Sequence, residues 1–156
     1  MLQKVKKHSG KSGGRFAIVA ARYNSRFTDA LVKNASKVLK TAGASVEVFR
    51  VPGSFEIPAV AARLAESTPP FDAIVCFGAI LRGATTHADH IAISVSHALA
   101  QLQLNSKLPI IHGVLLFESE EQAVIRCLGK EHNRGIEAAG AALEMAALMA
   151  QLKKAH

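Results

Sequence analysis

The sequence predicts one α/β domain, a three-layer αβα sandwich in which helices cover both faces of a four-stranded parallel sheet. Three observations predict it. Four short runs are apolar at consecutive positions rather than at every second one, the pattern of strands buried on both faces. Segments with helical spacing alternate with those runs, and the connections are short. Finally, 156 residues, 49% of them apolar, suffice for one domain with a substantial core.

The first strand is Arg15-Phe-Ala-Ile-Val-Ala-Ala21. From Ser25 to Ala42 the period changes: Phe27, Leu31, Ala35, Val38, Leu39 and Ala42 follow helical spacing, and Gly43 stands where a C-terminal glycine cap belongs. Ser45 to Val51 is the second strand. Pro52-Gly53-Ser54 breaks the chain, and a helix runs from Phe55 to Ser67 with Pro58 tolerated in its first turn. After the turn at Thr68-Pro-Pro70 come a third strand, Asp72 to Phe77, a helix, Thr86 to Leu104, and a fourth strand, Pro109 to Leu116. Ser119-Glu-Glu-Gln opens a short helix ending at Leu128, and a longer helix runs from Asn133 to Lys154. That helix carries Ala138, Ala139, Ala141, Ala142, Ala146, Ala147 and Ala150, which permit close packing either within the chain or against a second subunit.

The net charge of +7 raises the question of nucleic acid. Its location answers otherwise. Lys4, Lys6, Lys7, Lys11 and Arg15 stand in the first 15 residues without an acid, leaving 14 basic against 12 acidic residues in the body. Residues 1–14 therefore read as a basic, flexible arm and residues 15–156 as the folded domain. One Tyr, no Trp and no RNA-binding signature exclude a nucleic-acid reader. No apolar segment approaches the roughly 20 residues of a membrane span, and no apolar segment follows the basic N-terminus as in a signal peptide, so a cytoplasmic protein is expected. Cys76 and Cys127 read as core fillers rather than a disulfide frame or metal cluster.

Ligands of open parallel sheets bind outside the carboxyl ends of the strands. The loops that begin near Ala21, Val51, Phe77 and Leu116 are thereby selected. The first holds Tyr23, the only tyrosine, either a surface aromatic or a platform for a planar ring. The second holds Glu56, either a helix-start acid or an acceptor for polyol hydroxyls. In the third, Gly78-Ala-Ile-Leu-Arg-Gly-Ala-Thr-Thr-His87, Gly83 permits close approach of an anion, and Thr85 and Thr86 either cap the helix or bind phosphate oxygens. His87 sits in the first helical turn, whose positive end disfavours imidazolium, so a neutral proton acceptor is expected unless Asp89 opposes it. His87, His90 and His97 share helical spacing, but without an HExxH or Cys/His grouping they do not make a zinc site; His90 and His97 read as a partly solvated helix face. Arg126 either pairs with surface acids or supplies the countercharge that a phosphate at Gly83–Thr86 requires, from its own or a neighbouring subunit.

Taken in order, Arg22-Tyr23-Asn24, Val51-Pro-Gly-Ser-Phe-Glu-Ile-Pro58, the Gly78–His87 stretch, Gly113-Val-Leu, Glu121-Gln-Ala, Arg126, Asn133-Arg-Gly135 and Ala142-Leu-Glu-Met-Ala146 resemble the lumazine synthase family. The resemblance covers residues 15 to 150 and implies the flavodoxin-like form of the sandwich. It implies condensation of 5-amino-6-(D-ribitylamino)uracil with 3,4-dihydroxy-2-butanone 4-phosphate in riboflavin formation, without metal or organic cofactor. Carried over by position, His87 is the acid/base group, Arg126 with Gly83, Ala84, Thr85 and Thr86 holds the phosphate, and Ser54, Phe55 and Glu56 hold the ribityl chain. Tyr23 stacks on the pyrimidine, Ile80 and Leu81 line the ring pocket, and His112 reaches the site across a subunit boundary. The implied partners are the small-molecule substrates, copies of the chain in a homopentamer or a multiple of pentamers, and a riboflavin synthase.

The chain also departs from the family pattern. Ala88 and His112 stand where aromatic residues are usual, Tyr23 stands for Phe or Trp, and Ile125 stands where an acid is common. A non-catalytic flavin-binding or shell-forming scaffold on the same fold is the alternative, and retention of His87, Arg126 and Glu56 argues against it. A flavodoxin-like phospholigand-binding domain would need a phosphate loop after the first strand, which Ala21-Arg-Tyr-Asn-Ser25 does not supply.

Overall fold

Four strands, Arg15–Ala21 (β1), Ser45–Val51 (β2), Ala73–Leu81 (β3) and Ile110–Phe117 (β4), pair in the order β2-β1-β3-β4, all parallel. The computed structural model describes residues 13–155. Side chains of β1 alternate between the faces, and each set seeds one of two cores. Phe16, Ile18 and Ala20 pack with Leu31, Ala35 and Leu39 of α1 (Ser25–Thr41) and with Ala138, Ala139, Ala142 and Leu143 of a C-terminal helix, Arg134–Ala155. Ala17, Val19 and Ala21 pack with Ile57 and Ala61 of α2 (Ile57–Ala65) and with Ala88, Val95 and Leu99 of α3 (His87–Ser106). The three layers and the parallel sheet agree with the sequence reading.

α1 ends as predicted, with Gly43 at φ +82° just past the helix. A short α4 (Glu120–Ala123) precedes the C-terminal helix, α5, whose alanine stripe is resolved in favour of packing within the chain for Ala138, Ala139 and Ala142. Gly135 lets α5 lie against α1: a Cβ there would stand 2.6 Å from the Leu31 carbonyl oxygen. Ala141, Ala147 and Ala150 remain exposed. No helix among the described residues is long and apolar enough to cross a membrane.

Three elements depart most from expectation. β3 does not stop at Phe77; it continues through Leu81, because Gly78–Leu81 pair with Val114–Phe117 of β4. Gly78 is a close-approach residue rather than a break, since a Cβ there would meet Ser54 Oγ at 2.3 Å. The second helix opens with a 3₁₀ turn at Ser54–Glu56. The helix expected from Ser119 to Leu128 is a single α turn followed by a π turn over Val124–Leu128, which Gly129 N–H closes on the Val124 carbonyl at 3.0 Å. Residues 1–12 of the arm expected over 1–14 lie outside the described residues, and Gly13 N–H bonds the Ala42 carbonyl at 2.9 Å.

Candidate active site

The strand order makes β1 and β3 neighbours while their following connections leave to opposite sides, which opens a crevice at their carboxyl ends. There lies a cavity of about 700 Å³. The loops around it are bonded to one another. Arg22 N–H and Tyr23 N–H donate to the carbonyls of Val51 and Pro52, at 2.7 and 3.1 Å. Asn24, in the left-handed conformation at φ 56°, donates from Nδ2 to the Ala79 carbonyl of β3 at 2.6 Å. Loop one is thus fixed to loop two and to the end of β3.

One wall is the turn after β2. Glu56 Oε2 accepts the Gly53 N–H at 2.8 Å, so the carboxylate is held at the start of its helix and reaches the cavity from there. Tyr23 and Phe55 are 74% and 63% exposed at the cavity edge, apolar ring surface that the single chain leaves unburied. Ser54 and Gly53 complete this wall, and Ile80 and Leu81, on the extended end of β3, form the floor.

The opposite wall is the loop into α3. Gly83 has a lining position and open space where a Cβ would stand. Thr85 Oγ1 lies 3.4 Å from His87 N–H, whereas Thr86, at the N-cap, makes no capping bond with its side chain; its Oγ1 lies 3.4 Å from His90 Nε2. His87 lines the cavity, and so do His90, Ile91 and Ser94, the positions a helix repeats on one face. Asp89 pairs with Arg82. Its carboxylate takes a bidentate bond from Arg82 at 2.6 and 2.8 Å, and Arg82 also grips Glu118 at 2.6 and 3.0 Å. The Arg82 hydrogen bond holds the Asp89 carboxyl below its usual range. This clamp ties the end of β3, the first turn of α3 and the residue after β4 together.

Of the sequence-predicted residues, Tyr23, Ser54, Phe55, Glu56, Ile80, Leu81, Gly83, Thr85 and His87 meet around the cavity. Ala84, Thr86, His112 and Arg126 do not line it within one chain. His112, on the edge strand β4, accepts Val114 N–H on Nδ1 at 3.2 Å, which leaves Nε2 to donate to Ser96 Oγ at 2.7 Å. His112 is exposed at the sheet edge, yet partial desolvation by its surroundings lowers its pKa, and in the neutral ring the proton sits on Nε2. Arg126, on the π turn, has Nη2 3.6 Å from Glu137 Oε2, but that oxygen bonds Arg134 Nη1 at 2.6 Å. Arg126 Nη1 is buried without a hydrogen-bond partner among the described residues.

The sequence reading missed Asn24, Gly53, Ala79, His90, Ile91 and Ser94 as cavity residues. For the α3 set the signal was present, because His90, Ile91 and Ser94 repeat His87 at helical spacing; the reading assigned that face to solvent. It also missed Asn133, fully buried, whose Oδ1 accepts Gly135 N–H at 2.9 Å and Ile136 N–H at 3.2 Å. Its Nδ2 donates to the Cys127 and Gly129 carbonyls at 2.8 Å each, fastening the π turn to α5.

A family model described as 6,7-dimethyl-8-ribityllumazine synthase matches residues 13–150. A protein of that name from Desulfotalea psychrophila is 43% identical over 144 residues, which span 90% of this chain and 92% of the relative. On its fold, its cavity and these two matches, the chain belongs to the 6,7-dimethyl-8-ribityllumazine synthase family.

Proposed function

We propose that this chain condenses 5-amino-6-(D-ribitylamino)uracil with 3,4-dihydroxy-2-butanone 4-phosphate to 6,7-dimethyl-8-ribityllumazine, phosphate and water. One observation carries the reading: in a chain of this family, the crevice between β1 and β3 faces exposed aromatic rings on one side toward an imidazole and a hydroxyl-bearing loop on the other. Tyr23 stacks on the pyrimidine, Ser54, Phe55 and Glu56 hold the ribityl chain, and Ile80 and Leu81 support the ring. The pyrimidine amine attacks the ketone, water leaves to give an imine, phosphate is eliminated, and the ribitylamino nitrogen closes on the remaining carbonyl of the side chain with loss of a second water. His87 carries protons through these steps, each of which joins or breaks a bond to nitrogen or oxygen.

Among the described residues, the cavity lining contains no Lys or Arg. A phosphate ester needs a countercharge in addition to Gly83, Ala84, Thr85 and Thr86. Arg126, whose guanidinium is incompletely bonded in its own chain, supplies it from a neighbouring copy, and His112 approaches the same cavity from that neighbour. The active unit is therefore a homo-oligomer, a pentamer or a multiple of it, with each site completed between subunits.

The test is a product assay on the purified protein with both substrates, run beside a light-scattering mass. Lumazine absorbance and fluorescence are expected from an oligomer. His87→Ala should slow turnover more than it weakens binding, and Arg126→Ala should abolish use of the phosphate substrate. A well-folded oligomer that forms no product refutes the reading.

A further inference from the structure

We infer that His90 is a second proton-transfer group of this cavity, working with His87 as a pair that shares one proton. The inference rests on the function proposed above and assigns a further catalytic residue to it. Both imidazoles line the cavity, and they stand one turn apart on one face of α3. Side chains three residues apart on a helix are neighbours, with Cβ atoms about 5–6 Å apart. Thr86 Oγ1, 3.4 Å from His90 Nε2, suits either state of the ring: the hydroxyl donates to a neutral nitrogen and accepts from a protonated one. The charged groups around His90 are few. Asp89 precedes it on the helix, with its carboxylate clamped by Arg82, and Glu56 faces the cavity from the turn after β2.

The chemistry requires two sites of proton exchange. As the amine nitrogen bonds to the ketone carbon and the C=O π pair moves to oxygen, nitrogen must lose a proton while oxygen gains one, and these atoms lie on opposite sides of the new bond. His87 accepts the nitrogen proton and protonated His90 donates to oxygen, giving the carbinolamine. In the dehydration the roles reverse. His87 returns its proton to the departing hydroxyl, which leaves as water as the C–O bond breaks, and His90 takes the remaining nitrogen proton as the C=N bond forms. Both rings end as they began.

Turnover by such a pair needs both imidazoles, one accepting a proton while the other donates one. His90→Gln keeps a polar group near Thr86 but cannot titrate. Measured by lumazine formation, it should lower kcat about 100-fold and leave KM for both substrates within about threefold. An unchanged kcat overturns the inference. Should that variant fail to fold, His90→Asn takes its place, and an unchanged kcat there overturns the inference equally. A wild-type protein that makes no lumazine refutes the proposed function instead, whereas an active wild type beside an equally active variant refutes the role of His90 alone.

Discussion

Asn133 is the residue whose substitution separates a structural fastening from a binding role most sharply. It is fully buried, and its amide makes four hydrogen bonds, two accepted from the first turn of α5 and two donated to the carbonyls of Cys127 and Gly129. Asn133→Ala removes the N-cap, at about 1 kcal/mol. It also withdraws the donor from two carbonyls in a largely buried place, at about 1–3 kcal/mol each. The summed loss is about 3–7 kcal/mol, a large share of the roughly 5–15 kcal/mol typical of a domain. Asn133→Asp divides the two halves. It keeps the cap oxygen at a helix start, where a carboxylate is favoured, but sets an oxygen against two carbonyl oxygens that sat 2.8 Å from the amide nitrogen. The ionised form is therefore the destabilising one, the introduced carboxyl is pushed above its usual range, and stability of the variant falls as pH rises from the unfolded carboxyl value through the raised folded one. Urea unfolding of wild type and both variants across pH reads this. Because the lost donor also frees the π turn that carries Arg126, KM for the phosphate substrate should rise in either variant more than KM for the pyrimidine. A loss below about 1 kcal/mol in both variants, with no pH dependence in the aspartate variant, refutes the reasoning.

Two further outcomes follow from the packing. Gly78→Ala places a Cβ 2.3 Å from Ser54 Oγ and 3.1 Å from Val114 Cγ1, so thermal melting should report about 1–3 kcal/mol of destabilisation, part of it restored by adding Ser54→Gly; a melting point equal to wild type would refute the contact. His112 has its folded-state pKa lowered from the usual 6.5 chiefly by partial desolvation, so the neutral ring contributes stability that is present above that value and lost as pH falls through the folded one. Acidification from about pH 7 to about pH 5 should therefore destabilise wild type more steeply than His112→Phe in denaturant titrations, and parallel curves would count against it.

The sequence by itself determined the layers, the order of the elements and the end of the sheet at which the site lies. Period and composition report how each segment meets its immediate surroundings. Continuous apolar runs marked strands buried on both faces, the Phe27–Ala42 spacing marked α1, Gly43 marked its end, and the carboxyl-end rule selected the loops of Tyr23, Glu56 and His87. Tertiary structure decided whatever depends on partners distant in the chain. β3 runs past Gly78 because Val114–Phe117 wait beside it, which no local pattern of glycine can announce. The π turn around Arg126 exists with Asn133 bonded across to it, and Asp89 is taken up by Arg82. The same three-residue spacing that made His90 a plausible solvent-facing residue brings it into the cavity once the 3₁₀ turn at Ser54–Glu56 stands opposite α3. Which loops meet is a property of register and packing, and these are set by contacts that a helical or strand period does not encode.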